Sequence, residues 1–371
     1  MSASGGPSTK AVTRSVVGDP GSPAGPGLLW RLGIDGPQSF FAGPVFWAIA
    51  AAVVVGFLVY PVFGSVFLAS NLTNFLLNVP LALGLALLWG YCGVLSFGQM
   101  AFFAISGYVY GILAINMGGD DLTLAAAAMA IAASALVAVA FGYFMFYGRV
   151  SGWIIPVLTL VFTLVLETFL GQTAGYEWKI GEALLGGYNG MTGIPSLAVA
   201  GVEFNGFTFP LYYLVVALVA ALFVAMRMLA NSHFGHVVVA VREDLERTEL
   251  LGYDIRRYQL VVFVIAAMLA GLSGVLYVSW GNYITPSSAG LLAATMPVLW
   301  VAVGGKTSFS AVAVSTLLLG LISDSLAVYS GEFAFVLLGA LLLFGMMFAP
   351  EGIIITLAAW VRGVIRKGQH P

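Results

Sequence analysis

The chain has 371 residues, 60% of them hydrophobic and only 8% charged, with a formal net charge of −2. Soluble domains carry about 25% charged residues, so this composition excludes a soluble globular protein and leaves an integral membrane one. The apolar runs are continuous over about 20 residues, which excludes a β-barrel and points to helices. The single cysteine, Cys92, excludes an internal disulfide framework and a multi-cysteine metal site. It reads as a small buried apolar residue, and no cofactor or metal is expected.

Residues 1–43 are rich in Pro, Gly and Ser, with Lys10, Arg14 and Arg31. They lack an apolar region before a cleavage site, so they read as a disordered cytoplasmic tail and not as a signal peptide. Ten apolar segments follow. They run roughly Phe46–Leu68, Leu72–Tyr91, Phe97–Met117, Leu122–Tyr147, Trp153–Leu170, Phe209–Leu229, Tyr258–Trp280, Leu291–Val303, Ser310–Val328 and Phe333–Ala349. The eighth is short for a full span. The fold class expected is all-α integral membrane with about ten transmembrane helices, the membrane domain covering 44–353.

Charge sorting orients this bundle. With the N-terminal tail in the cytoplasm, Arg149, Arg227, Lys306 and the basic end at Arg362, Arg366 and Lys367 all fall on that side. Asp120, Asp121, Glu177, Glu182, Glu203 and Glu332 fall on the other, with only Lys179 basic. Both termini, including the tail 354–371, are therefore expected in the cytoplasm. The largest outer loop, 171–208, contains Gly186–Pro195 (GGYNGMTGIP), whose glycines make turns rather than a domain. It is expected to fold back over the outer mouth of a pathway, or to be a plain surface loop.

Between the sixth and seventh segments lies a polar island, 230–257. His233–Arg257 holds nine charged residues, in a chain with 14 basic and 16 acidic ones in all. Residues 233–241 extend the sixth helix or bend at Gly235; Arg242–Leu251 then reads as a short amphipathic helix with a Leu245, Thr248, Leu251 stripe. Gly252 suits its C-cap. The balanced signs of Arg242, Glu243, Asp244, Glu246, Arg247 and Glu249 suit a protein groove better than a lipid headgroup patch.

Polar residues inside apolar segments are the candidates for a pathway. They are Asn78, Ser96, Gln99, Thr159, Thr163, Glu167 and Asp324. Thr159, Thr163 and Glu167 are spaced four apart and share a helix face. A zwitterion would find an acceptor for its ammonium in Glu167 or Asp324 and donors for its carboxylate in Ser96 or Gln99. The plain alternative is hydrogen bonding between helices. Glycine-broken stretches at Gly90–Gly98 and Gly281–Gly290 hint at two related halves. Enzyme chemistry lacks its residues: His233, His236 and His370 all lie outside the apolar segments. Gly304–Thr307 (GGKT) is no phosphate loop, because position 300 is Trp300 where such a loop needs glycine.

Five ordered stretches resemble one family, the permease subunits of ABC importers for branched-chain amino acids and urea. They are Leu87–Tyr108 (LLWGYCGVLSFGQMAFFAISGY), Asn189–Pro195 (NGMTGIP), Ala240–Leu260 (AVREDLERTELLGYDIRRYQL), Ala266–Tyr277 (AAMLAGLSGVLY) and Phe348–Ile353 (FAPEGI). The chain departs from the family pattern at Met100, Thr248 and Phe309. The resemblance implies a transport subunit without its own ATPase, and a coupling helix around Arg242, Glu243, Asp244, Glu249, Leu251 and Gly252, with Glu249 and Gly252 in the signature. It also implies partners: cytosolic ABC ATPase subunits, a second permease that is a paralogue rather than a copy, and a soluble substrate-binding protein. The lipid bilayer surrounds the bundle, and no nucleic acid is expected. The implied location is the bacterial cytoplasmic (inner) membrane, as a multi-pass protein. Branched-chain amino acids are the first substrate; urea or short amides, which Leu88–Gly98 also resembles, come second. An ATP-independent channel or secondary carrier is the alternative of another class.

Overall fold

The computed structural model describes residues 44–119 and 122–327, together with 336–337, 339–340, 343, 347, 349 and 352–357. The expected N-terminal tail, residues 358–371 of the expected C-terminal tail, and most of the tenth apolar segment lie outside the described residues.

Nine apolar helical segments are present among the described residues, seven of them long enough to cross a bilayer. Helix α1 (Pro44–Phe63) stops at Gly64, and Ser65 caps a new helix, α2 (Val66–Leu76), by accepting from the Leu68 N–H at 3.4 Å. The first two expected segments are thus divided earlier than their hydropathy suggests. Helix α3 (Val79–Leu85) runs directly into a π-helical turn, Ala86–Tyr91. Helices α4 (Gln99–Met117), α5 (Thr123–Tyr147), α6 (Ile155–Gly171) and α7 (Phe209–Ala230) follow. Two short helices, α8 (His233–Glu243) and α9 (Leu245–Leu250), lead to α10 (Ile255–Gly281), α11 (Leu291–Gly304) and α12 (Phe309–Ala327). Prolines at 80, 156 and 210 sit in the first turns of α3, α6 and α7, where a missing N–H costs nothing.

The core forms around α10, which packs on α3, α4 and α5. Small residues make this close approach possible: Ala266, Ala267, Ala270, Gly271 and Gly274 are buried on α10. A Cβ at Gly274 would run into the backbone of Phe103. The buried Leu81 N–H donates to Ser273 Oγ at 3.2 Å, tying α3 to the same helix. Among the buried side chains are Tyr91, Phe102 and Phe263, with Phe102 and Phe263 in edge contact at 5.4 Å. Cys92 is buried, as expected.

Helices α6 and α11 are short, at 17 and 14 residues. At 1.5 Å per residue α11 is about 21 Å long, less than the roughly 30 Å hydrocarbon core. Both touch the chain preceding α11: residues 282–290 form a short strand and a 3-10 turn between α10 and α11.

The 171–208 loop carries five short strands: β1 (Lys179–Ile180), β2 (Ala183–Leu184), β3 (Met191–Thr192), β4 (Leu197–Val199) and β5 (Val202–Phe204). β1 pairs with β2 and β4 with β5, each antiparallel. β3 pairs instead with β6 (Tyr283–Ile284), with Met191 opposite Ile284. The loop is therefore fastened across the α10–α11 connection. Four side chains from the helices complete the fastening. Asn116 Nδ2 donates to the Ile180 carbonyl at 2.9 Å, and its Oδ1 accepts from the Glu182 N–H at 2.7 Å. The Ala198 N–H donates to Thr123 Oγ1 at 2.9 Å. Tyr110 donates to the Pro195 carbonyl at 3.0 Å, and Asn282 Nδ2 to the Ile194 carbonyl at 2.8 Å. None of these four staples stood out in the sequence, because each is a lone polar residue with no local pattern around it.

Candidate functional site

Two groups of residues stand out, one on the chain leading into α10 and one inside the bundle along α6. The first is the island after α7. The chain does not extend α7 or bend at Gly235, as the sequence alone allowed. It breaks at Asn231–Ser232, where Ser232 Oγ accepts from the Gly235 N–H at 3.3 Å and starts α8. The expected single helix Arg242–Leu251 is also divided. Asp244 is extended (φ −156°, ψ 106°) and ends α8. Its carboxylate accepts from the Arg247 N–H at 3.1 Å, capping α9, and meets the Arg247 guanidinium at 2.9 Å. An aspartate at this position competes for the helix N–H groups, which is why it starts helices better than it continues them.

α9 ends as the sequence suggests. Gly252 has φ +89°, which a side chain disfavours. The Gly252 N–H donates to the Glu249 carbonyl at 2.9 Å and the Tyr253 N–H to the Thr248 carbonyl at 3.4 Å, the paired bonds of a Schellman stop. Asp254 then caps α10 through the Arg257 N–H. The result is a stiff helical spur with every terminus capped. At its tip the sequence stripe is altered: Thr248 is buried, while Leu250 and Leu251 are 87% and 74% exposed. Glu249 is exposed beside them.

Arg242 has a different part. It faces the bundle, not the tip. Its Nη1 donates to the Gly90 carbonyl at 2.5 Å, and its guanidinium also pairs with Glu243. Gly90 lies in the π-helical turn, where the widened bonding pattern leaves carbonyls open to outside donors. A Cβ there would overlap the Lys306 carbonyl, so only glycine lets the α11–α12 turn come this close. Tyr91 donates to the Thr307 carbonyl at 2.8 Å and stacks on Phe309 at 4.9 Å. The π turn therefore joins the spur, the α11–α12 turn and the non-helical stretch before α4.

The second group is the set of polar residues inside the bundle. Thr159 and Thr163 are buried on α6 and grip that non-helical stretch. The Phe97 N–H donates to Thr159 Oγ1 at 3.1 Å, and Thr163 Oγ1 donates to the Phe97 carbonyl at 3.2 Å. Ser96 Oγ accepts from the Gly98 N–H at 3.1 Å. Gln99, the first residue of α4, is 1% exposed, and neither side-chain atom has a hydrogen-bond partner among the described residues. A buried carboxamide left without a partner costs about 1–3 kcal/mol per group.

Glu167 continues the shared face and is half-buried. Its carboxylate lies against Gly290, the N-cap of α11, where a Cβ would come within 2.9 Å of it. α6 thus reaches both broken stretches, one through its threonines and one through Glu167. Asn78 is not inside a continuous helix; it stands at the α2–α3 break and bonds the Asn74 carbonyl at 3.0 Å. Asp324 is exposed on α12. The structure does not bring Asn78 or Asp324 to the Ser96–Gln99 group by any hydrogen bond among the described residues. Arg227 is a further polar residue within the bundle, one that charge sorting places only by side. It is 1% exposed on α7, with its guanidinium 4.6 Å from the ring centre of Phe46 and 5.2 Å from that of Trp47.

Comparisons with known proteins agree with this architecture. Residues 67–349 match the family model described as the branched-chain amino acid transport system / permease component. The high-affinity branched-chain amino acid transport system permease protein LivM of Escherichia coli is 27% identical over 304 residues, covering 75% of this chain and 68% of that protein. The corresponding protein BraD of Pseudomonas aeruginosa is 28% identical, covering 74% of this chain and 90% of its own length. LivH of Salmonella typhimurium is 26% identical with the same coverage. No solved structure matches. The chain is a multi-pass membrane protein and belongs to the permease-component family of branched-chain amino acid transport systems.

Proposed function

We propose that this chain is the permease subunit of an ATP-driven ABC importer for branched-chain amino acids. In this reading cytosolic ATPase subunits bind the spur, a soluble binding protein delivers substrate at the opposite end, and a paralogous permease completes the pathway. LivM and LivH are both named as permeases of one kind of system, and both are similar to this chain, which supports pairing with a paralogue.

The observation that carries the reading is the spur. An isolated apolar tip on a rigid, fully capped helix pair is costly in water unless a partner covers it. Leu250 and Leu251 supply the contact, Glu249 a charge beside it, and Gly252 the stop that fixes the exit angle. Arg242 gives the spur a path into the bundle through Gly90 and the π turn. Movement of the spur by an ATPase then reaches the stretch that Thr159 and Thr163 hold, and with it Gln99. Glu167 at the α11 N-terminus suits an ammonium group arriving from the other side, and Gln99 a carboxylate leaving.

The basic residues Arg149, Arg242, Arg256 and Lys306 gather at the spur end, which supports placing that end in the cytosol of a bacterial cytoplasmic membrane. Both termini are then cytosolic.

The test is reconstitution with two ATPase subunits, the second permease and the binding protein in proteoliposomes. ATP-dependent uptake of L-leucine, not displaced by urea, is expected. Leu250→Asp with Leu251→Asp should release the ATPases from the purified complex. Leucine flux without ATPase, or urea as the preferred cargo, would overturn the reading.

A further inference from the structure

A cavity of about 430 Å³ opens beside the spur, bounded by α8, α9, the start of α10 and the turn joining α5 to α6. Three arginines from three separate elements line it: Arg149, Arg242 and Arg256. One acidic residue, Glu249 on α9, also lines it. Arg242 is held by Glu243 and the Gly90 carbonyl. The side chains of Arg149 and Arg256 form no ion pair with any described residue. With Arg242 paired, Arg149 and Arg256 are the two cations left unpaired at this hollow, and an anion between them relieves their repulsion. Much of the remaining wall is apolar, with Val94, Phe146, Val150 and Ile155.

These features have one chemistry in common. Guanidinium groups suit a carboxylate, an exposed carboxylate suits an ammonium, and an aliphatic wall suits a branched hydrocarbon. Together they are complementary to an apolar α-amino acid. The volume lies in the range of about 300–1,000 Å³ typical of small-molecule sites. We propose that this cavity binds the transported amino acid on its product side, and that occupation slows further uptake. The proposal rests on the transport reading above. The physical reason for the slowing is local. A ligand held by Glu249 on one side and by Arg149 and Arg256 on the other ties the spur tip to the bundle. Any movement of the spur must then break those contacts.

Two measurements test it. In the first, the purified complex of permeases and ATPases, without binding protein, is titrated with radiolabelled L-leucine. Binding is expected, and leucinamide, which lacks the carboxylate, should compete at least about tenfold worse. Arg149→Ala and Arg256→Ala should each weaken binding about tenfold, with Arg256→Lys restoring part of it. In the second, proteoliposomes are loaded with leucine on the ATPase side. Initial uptake should fall in the unmodified complex but not in the two alanine variants, which should transport normally into leucine-free vesicles. Leucine binding unchanged in the Arg149→Ala, Arg256→Ala double variant would overturn the proposal, as would displacement by inorganic phosphate as readily as by leucine. Failure of uptake into leucine-free vesicles by the unmodified complex would instead refute the transport reading, and the binding titration would still decide the cavity on its own.

Discussion

The two ends of the bundle are both irregular, but they are built in opposite ways. At the spur end the chain is helical and capped, with its backbone groups satisfied locally and its apolar tip left bare. At the other end the loop 171–208 is built of short strands and turns, and several of its backbone groups are satisfied at a distance by Asn116, Thr123, Tyr110 and Asn282. A segment satisfied within itself can move as one piece. A segment stapled to several helices moves only with them. The spur is therefore suited to transmit a displacement, and the loop to keep the helices beneath it in register.

The largest expected effect tests the stiffness of the spur. Gly252→Pro cannot adopt φ +89° and removes the N–H that closes α9. Glu249→Arg keeps the fold and reverses the charge at the tip. Either should reduce ATP-driven uptake to background while leaving membrane insertion intact; uptake at the unmodified rate would remove the lever role.

Next comes the link between spur and bundle. Arg242→Ala removes a charged hydrogen bond to the Gly90 carbonyl, worth about 1.5–3 kcal/mol. ATP hydrolysis should continue while leucine moved per ATP falls about tenfold. Equal losses in hydrolysis and transport would mean that Arg242 only supports the fold.

The outer end should respond differently. Asn282→Ala breaks bonds to the Ile194 carbonyl and Ser196 Oγ, at 2.8 and 2.7 Å. Limited proteolysis of the loop should speed up, with a stability loss of about 1–3 kcal/mol, and leucine moved per ATP should stay unchanged. A fall in that ratio would erase the distinction between the two ends.

The smallest effect concerns the β1–β2 hairpin. Lys179 Nζ donates to Glu182 at 2.8 Å, and that bond, followed by the ammonium's charge, holds the Glu182 carboxyl below its usual range. A lowered folded value stabilises the hairpin above the unfolded pKa of about 4.3 and loses that stabilisation as pH falls through the lowered value. Trp178 fluorescence should shift slightly below about pH 4, and Glu182→Gln should abolish the shift.

Much of the helical plan was legible in the residues because each span must satisfy its backbone internally in lipid, and long apolar runs announce that need. The expected segments up to Ser310–Val328 match described helices, apart from small boundary shifts, the early division at Gly64–Ser65 that affects the first two, and the break at Leu77–Asn78 inside the second. The Gly252 stop was legible too, because few residues other than glycine accept its backbone. The Thr159, Thr163, Glu167 face followed from helical spacing alone. The Asp244 break was not foreseen, since an amphipathic pattern runs through it unchanged. Nor was the inward turn of Arg242, because charge patterning says only that a residue is polar, not where its side chain reaches.

What the sequence by itself determined is the class of protein, the spans, the location of the spur and the chain's likeness to one family of permeases. Only the tertiary structure decided what the polar residues touch. It joined Arg242 to Gly90 across 152 positions, Thr159 to Phe97 across 62, and Asn282 to Ile194 across 88. Hydropathy and helical periodicity are local quantities, and they carry no record of such contacts. Those depend on how the small residues of α10 let neighbouring helices close in, which is a property of packing.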